Sequence, residues 1–217
     1  MMRQLLFRMA KGPLMGRMVG YAFQYGSWAI PVKRVPGSRD IIAFHHPQPS
    51  YEHHLILSPK RAIGTLHQMA SESLSRYFGR VWEAAEAIRA AHPEYHDGYI
   101  LVANGGKRQE VQQVHFHMFT GHDMVHDHAA QAASVYCRER ACCVLKPADP
   151  DWEIHFVIKP TGTDRDAYFR SVLQSIALLD TRFHIVQRGY SLVCQRGALA
   201  SDAEWPVFHI VSGKRLT

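Results

Sequence analysis

Cysteine is scarce in this chain, and what there is cannot make a framework. Four occur, Cys137, Cys142, Cys143 and Cys194, with no C-x-x-C pair among them. The adjacent Cys142 and Cys143 are poor disulfide partners, and no secretory signal is apparent. Reduced thiols in a cytoplasmic protein are the expectation. Long apolar runs are also missing. The opening stretch, residues 1–30, is cut by Arg3, Arg8, Lys11 and Arg17. No uninterrupted run reaches the ~7–15 residues of a signal core or the ~20 of a membrane span. Leu5, Leu6, Met9 and Leu14 between basic residues describe an amphipathic segment, broken or bent at Gly12-Pro13. A helix packed on the protein surface is the first reading, and weak contact with an anionic membrane surface the second. Acidic residues are in deficit. Nineteen Asp and Glu against 25 Lys and Arg leave a net charge of +6, which favours anionic partners such as phosphate esters. The basic residues are scattered and form no stripe interleaved with aromatics, so nucleic acid is not an expected partner.

What is there is ordinary core material and an excess of histidine. The chain has 217 residues, 47% of them hydrophobic, and 15 histidines. That length allows one large domain or two small ones fused around a shared core. Ile41, Ile42 and Phe44 read as one strand; His54 to Leu57 read as a second, ended by Pro59. Thr65 to Arg89 has apolar residues at three- and four-residue steps and predicts one helix. "YILVAN" is a buried strand, "GGKRQEV" a glycine-containing loop and "QVHFHMFT" a strand. After the polar stretch "GHDMVHDHAAQAAS" the order recurs: strand to Pro160, helix from Asp166 to Leu179, strand, loop, closing strand.

The recurrence is an internal duplication. "EHHLILSP" from Glu52 lies beside "EIHFVIKP" from Glu153, and "GYILVANGG" from Gly98 beside "GYSLVCQRG" from Gly189. With a one-residue insertion, "VHFHMFTG" lies beside "PVFHIVSG", so His117 matches His209 and His115 matches Val207. Three matches in one order, around a helix each time, predict a pseudo-twofold pair of halves. The expected division is a helical extension over 1–30, a half carrying the site over 31–128, and a degenerate half over 129–217. A chain that contains both halves is expected to be a monomer, a dimer being the second choice.

Residues two apart on a strand share a face, so His115 and His117 point the same way. One histidine on an apolar strand is ordinarily a satisfied, half-buried residue. Two in register beside Gly105-Gly106 favour a site.

The stretch "NGGKRQEVQQVHFHMFTG" resembles the signature loop and strand of the histidine-triad (HIT) superfamily, His-φ-His-φ-His-φ-φ. Upstream, "DIIAFHHPQPSYEHHLILSPK" is similar to the superfamily's strand, Pro-rich turn and His-bearing strand. The resemblance covers roughly residues 38–121. The duplicated layout resembles the branch of galactose-1-phosphate uridylyltransferases and dinucleoside-polyphosphate phosphorylases. It implies an α+β fold, a HIT-like antiparallel sheet with helices on one side, duplicated as a pseudo-dimer within one chain. It also implies a nucleotidyl hydrolase or transferase acting on a nucleotide or nucleotide sugar.

By that resemblance His115 is the nucleophile that attacks an α-phosphorus and forms a covalent nucleotidyl-histidine. Its far nitrogen is expected to donate to a backbone carbonyl near Gln113. His117 donates to a phosphate oxygen as charge builds, and His54 supports the triad from the neighbouring strand. Asn104 and Gln109 hold phosphate or leaving group, Gly105 and Gly106 let backbone N–H groups approach the anion, and Phe44 and His46 line the nucleoside side. Four positions depart from the pattern. Gln113 replaces the first histidine, with its hydrogen-bonding role expected to survive. Glu110 stands where Ser or Thr is usual and would repel phosphate unless it points outward or pairs with Lys107 or Arg108. His46 replaces an acidic residue that grips ribose. Arg108 replaces a glycine and adds a phosphate contact. These departures carry the alternative reading, a HIT fold that binds a nucleotide or sugar phosphate without turnover. No cofactor and no metal are expected. Zinc at "HDMVHDH", His122 to His128, is the weaker alternative to a solvated linker.

Overall fold

The computed structural model describes residues 33–35, 38–121, 133–147, 152–197 and 205–213, with Tyr21, Ala22, Gln24 and Tyr25 before them. Most of the N-terminal extension and the "HDMVHDH" stretch lie outside these residues. Among the described residues ten strands form one sheet: β1 Arg34–Val35, β2 Ile41–His45, β3 Leu55–Pro59, β4 Gly98–Gly105, β5 Phe116–Phe119, β6 Ser134–Arg138, β7 Cys142–Lys146, β8 Ile154–Pro160, β9 Tyr190–Gly197 and β10 Phe208–Ser212. Their spatial order is β1-β2-β3-β5-β4-β9-β10-β8-β7-β6, antiparallel throughout. The second half of that order mirrors the first about the β4–β9 seam.

The register makes the duplication quantitative. At the seam Val102 pairs with its own copy, Val193. A local twofold axis therefore passes between these two valines. Moving outward, Val102 pairs with His117, His117 with Ile56, and Ile56 with Phe44. On the other side Val193 pairs with His209, His209 with Val157, and Val157 with Leu145. One row across eight strands thus reads the same from either end: aromatic or aliphatic, aliphatic, histidine, valine.

Side chains alternate across the sheet. Tyr99, Leu101 and Ala103 of β4 join the main core under the helices, whereas Ile100 and Val102 join a smaller cluster on the other face with Phe119, Trp152, Val193 and Val211. Four helices lie among the described residues from 38 onward: α1 Leu66–Met69, α2 Arg76–Ala91, α3 Arg165–Phe183 and α4 Ile185–Arg188. α2 buries Tyr77, Phe78, Val81, Trp82, Ala85 and Ile88, one stripe at helical spacing. Phe78 and Phe169, from α2 and α3, meet Phe208 on the sheet, and Phe78 also meets Phe116; centroids are 5.0 to 6.2 Å apart. All four are at most 1% exposed. Each such side chain contributes on the order of 1.5–3 kcal/mol by burial, so this cluster on the axis is a principal tie between the halves.

Two local expectations are corrected, and one holds. The helix from Thr65 is two helices. Thr65 caps α1 by accepting from the Gln68 N–H, and the chain turns over Ala70–Ser75 before α2 begins. Pro59 and Pro160 do end their strands, paired with Ile41 and Cys142 as the last residues of β3 and β8. Finally, β6 and β7 lie in a stretch that had no strand assigned. They repeat β1 and β2, since Ile41 and Cys142 hold the same register place against the two prolines.

Candidate active site

The imidazoles sit on the sheet face opposite the helices. His115 immediately precedes β5 and is half-buried. Its Nδ1 lies 2.8 Å from the Gln113 carbonyl oxygen. A carbonyl can only accept, so Nδ1 carries the proton and Nε2 keeps its lone pair. Burial pushes the His115 pKa down, partly countered by the same carbonyl and by the Glu110 carboxylate. The ring is therefore neutral at pH 7, the state in which a histidine is a nucleophile.

His117 and His54 form a directional pair. His54 Nε2 is 2.9 Å from His117 Nδ1. The Ser50 N–H approaches His54 Nδ1 at 3.4 Å, which assigns that nitrogen as acceptor. His54 Nε2–H then donates to His117 Nδ1, and His117 is left with its proton on Nε2. Burial, reinforced by neighbouring His46, lowers His54 to about 3. His117 is held well below its ordinary value by burial and by His115, His54 and His46. The His115 and His117 rings are 5.1 Å apart, edge on.

His46 stacks on His54 with centroids 4.3 Å apart and planes 6° from parallel. One nitrogen from each of His46, His54 and His117 lies within 4.8 Å of the others. That spacing would suit zinc, but the hydrogen bonds do not. The Gln48 N–H donates to His46 Nδ1 at 3.1 Å, and Ser50 N–H points at His54 Nδ1. A neutral ligating imidazole gives one nitrogen to the metal and donates the N–H of the other. Here the second nitrogen of both rings is already an acceptor, so the group is better described as a hydrogen-bonded histidine stack than as a metal centre.

Gln113 departs from the role expected of its side chain. It is 1% exposed, its Oε1 accepts from the Ile63 N–H at 3.1 Å, and its Nε2 donates to the Pro59 and Arg61 carbonyls at 3.0 Å each. Those bonds use both amide hydrogens to pin the chain after β3. The contribution of Gln113 to the imidazoles is its backbone carbonyl. Gln109 is similar, with Nε2 donating to the Gly64 and Val111 carbonyls. Glu110 is exposed, and Phe44 is buried at the end of the central row.

The glycine loop is built against the other half. Gly105 ends β4 opposite Tyr190, and a Cβ there would stand 2.2 Å from the tyrosine ring. Gly106 has φ +60°, and a Cβ there would meet the Val186 carbonyl at 2.1 Å. Residues 106–108 form a single 3-10 turn packed on α4. Arg108 Nη1 donates to Ser191 Oγ at 3.1 Å, and Ser191 Oγ donates to Asn104 Oδ1 at 2.7 Å. Ser191 had no place in the sequence reading. Its one signal was a polar residue on a buried strand where its copy, Ile100, is apolar. A separate groove of about 440 Å³ between Ser38 and α2 shares no residue with this site.

Comparison with known proteins identifies the family. The HIT domain model matches residues 29–124. A HIT-like protein of Azospirillum brasilense is 31% identical over 98 residues, covering 42% of this chain and 77% of the relative. The chain belongs to the HIT family. A DUF4931 family protein from Bacillus cereus aligns over 85% of this chain and 87% of its own at 13% identity, with a TM-score of 0.59. An ADP-glucose phosphorylase from Arabidopsis thaliana, with bound ADP-glucose, aligns over 88% and 79% at 10% identity, with a TM-score of 0.56. Coverage at that level extends the shared fold to both halves. Among the described residues no helix is long and apolar enough to cross a membrane.

Proposed function

We propose that this protein is a nucleotidyl hydrolase or transferase that works through a covalent intermediate on His115. The carrying observation is the 2.8 Å contact between His115 Nδ1 and the Gln113 carbonyl. It fixes the tautomer, and burial keeps the ring neutral. In the first step Nε2 attacks the α-phosphorus, an N–P bond forms, and the P–O bond to the leaving group breaks. In the second an acceptor hydroxyl or water attacks the same phosphorus, the N–P bond breaks, and the imidazole is restored. His117 Nε2–H, oriented by His54, donates to a non-bridging oxygen as negative charge gathers on it. Asn104 and the backbone of Gly105-Gly106 receive the phosphate or leaving group. Val207 in the second half offers no nucleophile, so one site per chain is the reading.

Incubation with radiolabelled dinucleotides and nucleotide sugars, quenched in alkali, tests it. An acid-labile phosphoramidate on the unsubstituted protein, absent from His115→Ala, is the expected result. Binding of the same compounds without any label would move the protein to the non-catalytic alternative.

A further inference from the structure

We infer that Ser191, which belongs to the half without a nucleophile, is a positioning residue for the Asn104 amide beside His115. This rests on the reading of the site given above. Three observations carry it.

The first is register. β4 and β5 pair Ile100 with Phe119 and Val102 with His117. The ladder ends there; the same register extended by two residues would bring Asn104 opposite His115, which immediately precedes β5. On the far side of β4, Asn104 pairs with Ser191. Asn104 and Ser191 therefore share a row that, extended past the end of the β4–β5 ladder, runs to His115.

The second is the direction of the hydrogen bonds. A guanidinium can only donate, so Arg108 Nη1 makes Ser191 Oγ an acceptor. The single hydroxyl hydrogen then goes to Asn104 Oδ1, 2.7 Å away. That leaves Asn104 Nδ2 with two donors and no competing claim from Ser191. The amide is locked with its donor end turned from β9. Without the hydroxyl the amide is free to flip and present an acceptor to an anion. A charged donor at the head of the chain also polarises the hydroxyl, which strengthens the bond after it.

The third is the contrast across the twofold axis. The copies of His115, Asn104 and Ser191 are Val207, Gln195 and Ile100. Gln195 pairs with Ile100, as Asn104 pairs with Ser191. Ser191 is fully buried, at a place where its copy is a β-branched aliphatic residue. The hydroxyl stands only in the row that contains His115, so backbone packing alone does not account for it.

The test is a double-mutant cycle on turnover of one radiolabelled substrate, ADP-glucose or diadenosine tetraphosphate, whichever the unsubstituted protein consumes. Ser191→Ala is expected to lower kcat about tenfold, a loss of about one charge-assisted hydrogen bond's preference, with KM within about twofold. Asn104→Ala is expected to lower kcat more, and the double variant to be no worse than Asn104→Ala. Ser191→Thr keeps the hydroxyl and has the branching that Ile100 shows the strand accepts; it is expected to restore most of kcat. Unchanged kcat in Ser191→Ala, additive losses in the cycle, or a folded Ser191→Thr with the alanine variant's kcat would each overturn the inference while leaving His115 untouched. Turnover that survives His115→Ala, or no turnover of either substrate, instead overturns the reading of the site and this inference with it.

Discussion

His54 bonds to His117, and His155 bonds to His209, through the same ring nitrogens at 2.9 and 3.0 Å. The ring centroids are 5.1 and 5.2 Å apart. The two halves of the sheet have thus kept one histidine pair each in nearly identical geometry. What surrounds the pairs is different. His209 and His155 are 1% and 3% exposed, whereas His117 is half-buried. Val207 stands for His115. Arg196 stands for Gly105 and runs to the helix side, 3.6 Å from Glu86 and over the Trp82 ring. The comparison teaches that the paired imidazoles are common to both halves. What sets the first half apart is the neighbouring row with His115 and the glycine loop.

Four sets of substitutions or conditions sharpen that contrast. The largest effect belongs to His115. His115→Ala is expected to lower kcat by on the order of 10⁴-fold or more, and Val207→Ala to leave it within about twofold, both read by initial rates. Next come the matched glycines Gly106 and Gly197, with φ +60° and +80°. Alanine at either costs about 1–3 kcal/mol in backbone strain, with a further loss because the Cβ would meet the Val186 or Asp97 carbonyl. Both variants should melt earlier by calorimetry, and Gly106→Ala alone should also lose turnover out of proportion to the unfolded fraction.

The histidine pairs give the third contrast. His54→Ala is expected to reduce kcat about a hundredfold by releasing His117. His155→Ala leaves His209 Nδ1 without this partner and should cost about 1–3 kcal/mol of stability with near-normal kcat per folded molecule. The smallest and broadest effect is that of pH. His54 titrates near 3 when folded and near 6.5 when unfolded. Between these values the unfolded chain binds the extra proton, so stability falls as pH falls, by up to about 1.4 kcal/mol per unit for such a group. Above pH 6.5 both states are neutral and the contribution is flat. Denaturant midpoints should therefore drop from pH 6.5 downward, with a shallower slope in His54→Gln. The acid limb of kcat/KM should also lie below the usual histidine range, because His115 and His117 are both depressed.

Much of the sheet was readable in advance where the two copies still share letters. "GYILVANGG" against "GYSLVCQRG", "VHFHMFTG" against "PVFHIVSG" and the prolines closing β3 and β8 placed six of the ten strands described. β7 was not readable, because "CCVLK" shares with "IIAFH" little more than an apolar character. The register that equates them is set by partners on β8 and β3. The break before α2 was hidden because Leu66, Met69 and Leu74 keep a helical rhythm across it. In the candidate site, His115, His117 and His54 follow from spacing and a known pattern. The commitment of Gln113 to the carbonyls of Pro59 and Arg61 does not, since these lie 54 and 52 residues away in the chain. Ser191 escaped notice for the same reason: its meaning is a cross-strand neighbour.

The axis between Val102 and Val193 joins two lengths of one polypeptide. An assembly of two identical subunits writes every amino-acid change in duplicate, so a serine introduced to serve one centre must also appear beside the other. Fusion removes that constraint. Serine can occupy position 191 while isoleucine keeps position 100, and one half can become a dedicated wall for its twin without forfeiting the interface that holds them together.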